Sequence, residues 1–138
     1  IRVLTNERVT LQQNGQSLEI AGIEDFDSHH FPGHGADLPA ALEGRDPEAP
    51  LILLAHQPAA VAEAAAMGVD LQLSGHTHGG QIRPFDFAVK LRQPYVKGLH
   101  RVADSQTQIY ISSGTGFWGP PMRLGTTSEI TSLRLART

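Results

Sequence analysis

The apolar positions of this chain fall into short runs separated by glycine, proline and polar clusters, and the period of each run predicts an element. Residues 1–4 form a short apolar stretch that reads as a strand. Residues 9–13 and 17–23 alternate apolar with polar around Asn14-Gly15, a hairpin signal because both turn residues tolerate positive φ. Residues 25–35 carry Pro32, two glycines and three histidines and read as a loop. Asp37 caps a short helix through Leu42, and residues 43–50, punctuated by Gly44, Pro47 and Pro50, form a second loop.

Residues 51–55 are fully apolar, as in a strand buried on both faces. Pro58 suits the first turn of a helix, alanine-rich residues 59–67 continue it, and Gly68 ends it. Residues 69–73 form the next strand and run directly into Ser74-Gly75-His76-Thr77-His78. Strand, helix and strand make a βαβ unit, whose two strands pair in parallel through a right-handed crossover. His56 and His76 then meet at the carboxyl ends of neighbouring strands, where ligand sites of α/β sheets lie. Beyond this, residues 84–97 read as a mixed loop, 108–112 as a strand, 114–121 as a glycine-rich turn with two aromatics, and 128–135 as a final strand.

Length and composition limit the classes. The 138 residues fit one domain, 1–138, with no internal repeat. A chain of this size buries roughly two thirds of its unfolded surface, so no metal is needed merely to hold a core. Hydrophobic residues make up 40% and charged residues 18%, a globular balance. Net charge is −3 without a dense basic cluster, which gives no electrostatic reason to expect nucleic acid. The chain has no cysteine, so a metal here must use His, Asp, Glu, Asn or water. No apolar run reaches the ~20 residues of a membrane span. The chain begins at Ile1, inside an expected strand, and reads as a fragment or processed product.

The candidate chemistry is histidine chemistry. His76 and His78 stand two apart, which on extended backbone places both side chains on one face. Gly75, Gly79 and Gly80 flank them and leave room for a ligand close to the backbone. His56 joins them through the βαβ geometry. His29, His30 and His34 read as histidines of a flexible loop, or as a loop over the site; His100 reads as a surface residue. Ser74 and Thr77 have no flanks of a nucleophile motif and suit the orienting of a histidine. Phe117 and Trp118 either pack the turn or line a cleft, with Arg123 offering a planar fork for phosphate.

Leu54-Ala55-His56-Gln57-Pro58, followed by Ser74-Gly75-His76-Thr77-His78-Gly79-Gly80-Gln81-Ile82, resembles the calcineurin-like metallophosphoesterase family, most closely its bacterial branch with an N-terminal membrane anchor. Ser112-Ser113-Gly114-Thr115-Gly116 and Pro121-Met122-Arg123-Leu124-Gly125 continue the likeness, which covers nearly the whole chain. It implies an α/β (α+β) fold: half of a β-sandwich flanked by helices, with a mixed sheet and one βαβ unit. It also implies a hydrolase of phosphomonoesters or phosphodiesters with two divalent ions, Mn, Fe or Zn, bridged by water or hydroxide. His56 and His76 would bind one ion and His78 the other; Trp118 and Arg123 would face substrate.

The family's earlier motifs, Asp-x-His, Gly-Asp-x-x-Asp and Gly-Asn-His, are expected to lie outside this chain, and no residue here is assigned a catalytic role. The chain is therefore expected to hold one ion or none and to be inactive alone, with any membrane attachment supplied by a missing N-terminal segment. Two alternatives stand beside this reading: a non-catalytic folded fragment that self-associates as a homo-oligomer through its exposed sheet, and a single-metal-binding module.

Overall fold

A computed structural model of the chain describes residues 1–84 and 86–136. Its six strands form one mixed sheet in the order β1-β2-β3-β4-β6-β5. β1 (Glu7–Gln13) and β2 (Gln16–Gly22) pair antiparallel about the Asn14-Gly15 turn, where φ is 51° and 75°. α1 (Leu38–Leu42) follows; the Asp37 carboxylate accepts the Ala40 N–H at 2.9 Å and so caps its first turn. β3 (Leu51–Leu54) leads through a 3-10 turn (Pro58–Ala60) to α2 (Val61–Ala66), and β4 (Leu71–Ser74) returns parallel to β3. α3 (Asp86–Arg92) and β5 (Gly98–Arg101) precede β6 (Gln108–Ile111), which pairs parallel to β4 and antiparallel to β5.

The register explains the core. Ala21, Leu53, Gln72 and Ile109 stand opposite one another across four strands, so they share a face. That face is covered by Leu38 and Leu42 of α1 and by Ala60 and Ala64 around α2, which pack with Leu51 and Leu53. Leu51, Leu53, Ile109 and Ile111 are fully buried. Among the described residues, a hollow on the opposite face, with Gly22, Leu54, Leu73 and Tyr110 in one row, is lined by no helix. Leu54 is 41% exposed there, and this open hollow of about 520 Å³ runs between Leu4, Leu54, Leu73, Tyr110 and Leu133.

The α/β class with a mixed sheet is as expected, and the hairpin, α1, β3, α2, β4 and β6 all form within a few residues of their expected bounds. Other expectations fail. The sheet holds a second crossover, since β2 also pairs parallel to β3 through α1. Residues 84–97 contain α3, supported by the Lys90–Asp86 pair one turn apart, and residues 98–101 add an edge strand. Residues 1–4 and 128–135 form no strand. The apolar alternation of 128–135 finds no neighbouring strand, and Ile130 stays 92% exposed. Among the described residues no helix is long and apolar enough to cross a membrane.

The tail is held by a polar clasp. Glu129 accepts from the Tyr110 hydroxyl at 2.7 Å and the Ser113 N–H at 3.0 Å, while its own N–H donates to Gly114. These donors favour the ionised carboxylate and hold its pKa below the usual range, the Tyr110 hydroxyl first. Such a group adds stability above its unfolded pKa of about 4.3, and the contribution disappears as pH falls through the lower folded value. Glu129→Gln is expected to unfold at lower urea than the native chain at pH 7, with the two curves converging at pH 3. A gap of constant size at both pH values would show that the clasp does not depend on charge.

Candidate metal centre

β3 and β4 end side by side, and buried hydrogen bonds carry their pairing beyond the strands. Ala55 N–H donates to the Leu73 carbonyl at 3.1 Å and Gly75 N–H to that of His56 at 3.0 Å. Beneath them, the Ser74 hydroxyl donates to the Ala55 carbonyl at 2.7 Å, and the Gln72 amide donates to Ser74 at 2.9 Å and to the Gln57 carbonyl at 3.3 Å. Gln72 is fully buried in an otherwise apolar row. The two polar side chains thus clamp the loop after β3 onto the end of β4.

His56 and His76 meet as a result. Nε2 of His56 lies 3.2 Å from Nδ1 of His76, with the rings edge-on and centroids 5.0 Å apart. Two imidazole nitrogens bound to one ion at about 2.0–2.1 Å stand roughly 2.9–3.4 Å apart for octahedral or tetrahedral angles. The observed separation falls in that window, so the pair fits a shared divalent ion. Burial lowers the pKa of His76 first, and the charge of His56 adds to the effect, while Asp25 and Asp27 oppose it. The neutral ring favoured in this way is the metal-binding form.

The reason for the pairing of His76 with His78 differs from the expected one. Neither is on extended backbone: φ is 66° at His76 and 49° at His78, both left-handed. The segment is a tight loop that passes into a 3-10 turn (His78–Gly80), and this conformation turns both rings toward one cleft. Gly79 and Gly80 serve packing, whereas a Cβ on Gly75 would meet no heavy atom within 4 Å. A Cβ on Gly79 would stand 2.7 Å from the Ser113 hydroxyl, and one on Gly80 would stand 2.5 Å from Cβ of Asp86. Thr77 donates to the Val96 carbonyl at 2.6 Å, tying the turn to the segment after α3.

The cleft has a volume of about 570 Å³, with His56, His76 and His78 on its floor, α3 on one side and Trp118 on another. Gln81 positions Trp118. Fully buried, it donates its side-chain amide to the Trp118 carbonyl and accepts the Trp118 N–H, each at 2.7 Å. Arg123 is placed behind His78, away from the cleft lining. Its guanidinium donates to the carbonyls of His78 at 3.0 Å and of Ser113 and Gly116 at 2.7 Å. As placed, it holds the loop and His78 instead of presenting an open fork. The pKa of His78 is lowered by burial first and by the Arg123 charge second, against the Gly116 backbone, which favours the charged ring.

Sequence reasoning missed a carboxylate wall. The Gln57 amide donates to Asp25 and to Asp27 at 2.9 Å each, the charges of both act on His76, and Asp27 lines the cleft. The Asp27 pKa is lowered, by the Gln57 amide foremost and then by the neighbouring His30, His29 and His76 charges. The only signal was by letter: Asp27-Ser28-His29 is an Asp-x-His triplet, although that pattern was expected outside this chain. Arg92 of α3 was missed as well; it is the one Lys or Arg in the described cleft lining. His34 and His100 lie elsewhere, against Glu24 at 3.1 Å and the Lys97 carbonyl at 2.7 Å.

Comparison with known proteins bears on the family. The chain is 45% identical over 145 residues to a transmembrane protein with metallophosphoesterase domain from Bos taurus, covering 98% of this chain and 32% of that protein. It is 43% identical over 134 residues to an uncharacterized metallophosphoesterase of Helicobacter pylori strain J99, covering 96% of this chain and 35% of that one. An uncharacterized metallophosphoesterase of Bacillus subtilis is 33% identical over 129 residues, 91% of this chain and 43% of its own. The chain thus spans about a third to two fifths of the length of these relatives. No family model matches it, and no solved structure matches it significantly. Likeness over nearly the whole chain, at up to 45% identity, assigns it to the metallophosphoesterase family of metal-dependent hydrolases.

Proposed function

We propose that this chain supplies the histidine side of a divalent-metal centre that hydrolyses phosphate esters, with His56 and His76 holding one ion and His78 directed to a second. The 3.2 Å approach of His56 to His76 carries the reading. Borderline ions such as Mn, Fe or Zn suit imidazole with carboxylate. When bound, they stabilise charge on a phosphoryl group and activate water near neutral pH. The residues themselves favour the neutral ring of His76, hold it 3.2 Å from His56, wall the cleft with Trp118, and place the Arg92 cation beside it. Arg92 is the better candidate for a phosphate contact than Arg123, whose donors serve backbone carbonyls. The chain spans only a third or so of its relatives, and we propose that the remaining ligands and full turnover require a longer form.

A second reading is favoured by the open face of the sheet. Leu54 at 41% exposure and the hollow beside Leu73 and Leu133 support self-association of this chain through that face. Strands β1 and β5, each paired on one side only, add sheet edges.

Three measurements test these readings. Metal analysis and hydrolysis of a bis-aryl phosphodiester, by this chain and by a form extended to the length of its relatives, should show metal content and turnover that His76→Ala lowers at least tenfold. Absence of both metal and His76-dependent turnover in the extended form ends the hydrolase reading. In the extended form, Arg92→Ala should weaken inhibition by inorganic phosphate about tenfold, in line with loss of one charge-assisted contact; an unchanged inhibition constant removes Arg92 from the substrate side. Light scattering of this chain should give a dimer or larger, returned toward monomer by Leu54→Glu; a monomer at high concentration removes the second reading.

A further inference from the structure

We propose a further divalent-metal site on the rim of the cleft, built from Asp27, His29 and His30 and separate from the His56, His76 and His78 centre. One ligand atom of each residue lies within 4.8 Å of the others. Ligands at about 2.0–2.2 Å from a common ion stand roughly 3–3.5 Å apart. The exposed side chains therefore need to close by an ångström or two, a change within reach of rotamer adjustment.

The scaffold beneath the cluster is firmly hydrogen-bonded. Asp27 opens a 3-10 turn (Ser28–His30) whose backbone is fixed by Ser28 N–H to Asp25, His30 N–H to Asp27 and Phe31 N–H to Ser28. Asp25 anchors the turn by accepting the Asp27 N–H at 2.9 Å, and the buried Gln57 amide donates to Asp25 and to Oδ2 of Asp27. Orientation of a ligating carboxylate by a hydrogen-bonded outer partner is what metal sites use to aim their ligands. His29 has the same kind of support. Its Nδ1 lies 3.1 Å from the Phe26 carbonyl, which can only accept. The proton must therefore sit on Nδ1, leaving the Nε2 lone pair free for an ion. The His29 and His30 rings lie close, with centroids 4.1 Å apart and planes at 42°, and a ring nitrogen of each belongs to the group within 4.8 Å.

The donor set names the ligand class. Two imidazoles and one carboxylate favour first-row divalent ions such as Zn²⁺ or Co²⁺ over Mg²⁺ and Ca²⁺, which prefer oxygen alone. Three protein ligands on an exposed turn leave the remaining positions to water. This site does not depend on the hydrolase reading, although Asp27 also lines the cleft and so couples the rim to its floor.

Titration with Co²⁺, followed by its visible absorption, and with Zn²⁺, followed by histidine side-chain ¹⁵N resonances, separates the two centres. With His56→Ala and His76→Ala together, one equivalent of Zn²⁺ should still bind, shift Nε2 of His29, and resist millimolar Mg²⁺. His29→Ala with His30→Ala should abolish that equivalent, and Asp27→Asn should weaken it about tenfold or more. Circular dichroism should be unchanged, because all three side chains are exposed. Loss of all binding in the His56/His76 variant overturns this proposal while sparing the cleft centre. Binding that survives the His29/His30 variant in that background overturns it as well, because the ion then sits elsewhere.

Discussion

The centre depends on a clamp of polar side chains inside an apolar sheet. Gln72 occupies a position in the row of Ala21, Leu53 and Ile109 where a hydrocarbon would pack more simply. A buried amide costs free energy unless it is bonded; the Gln72 Nε2 donates to the Gln57 carbonyl and to Ser74, which in turn donates to Ala55, while its Oε1 has no partner among the described residues. These bonds end on the carbonyls flanking His56. The histidine pair is therefore set by the register of two parallel strands and by two side chains that never face the cleft. That arrangement puts positional precision on rigid elements and leaves only the His76–Gly80 loop to shape the ligands.

Much of this was legible because it is local. Asn14-Gly15 signals a hairpin through its backbone freedom, Asp37 caps α1, and the apolar run of β3 followed by an alanine-rich helix can hardly be read otherwise. The nearness of His56 to His76 followed from a parallel crossover alone. What escaped is non-local. Asp25 and Asp27 are tied to Gln57, some thirty residues away, and Asp27 thereby lines the cleft; no spacing within 25–35 announces that contact. Arg123 reads as a phosphate fork from the planar shape of its guanidinium, and here five carbonyls 4–45 positions distant engage it. The reading of 128–135 as a strand failed for the opposite reason. Its alternation is real, but a strand needs a neighbour, and these residues find a side-chain clasp at Glu129 in place of a ladder.

The two faces of the sheet divide the labour. The helix-covered face supplies stability through Leu51, Leu53, Ile109 and Ile111. The other face is less finished, with Leu54 and Leu73 around an open hollow beside the His56 loop. The unfinished side lies immediately adjacent to the His56 loop, which lines both the hollow and the cleft.

The left-handed backbone at His76 and His78 has a consequence for altering the centre. Branched or bulky side chains are costly at φ of 66° and 49°, whereas asparagine and aspartate enter that region with little penalty. Amide or carboxylate donors can therefore replace either imidazole without disturbing the loop. For the proposed centre, ion preference would then be adjustable by ligand exchange alone, with the clamp around Gln72 left intact.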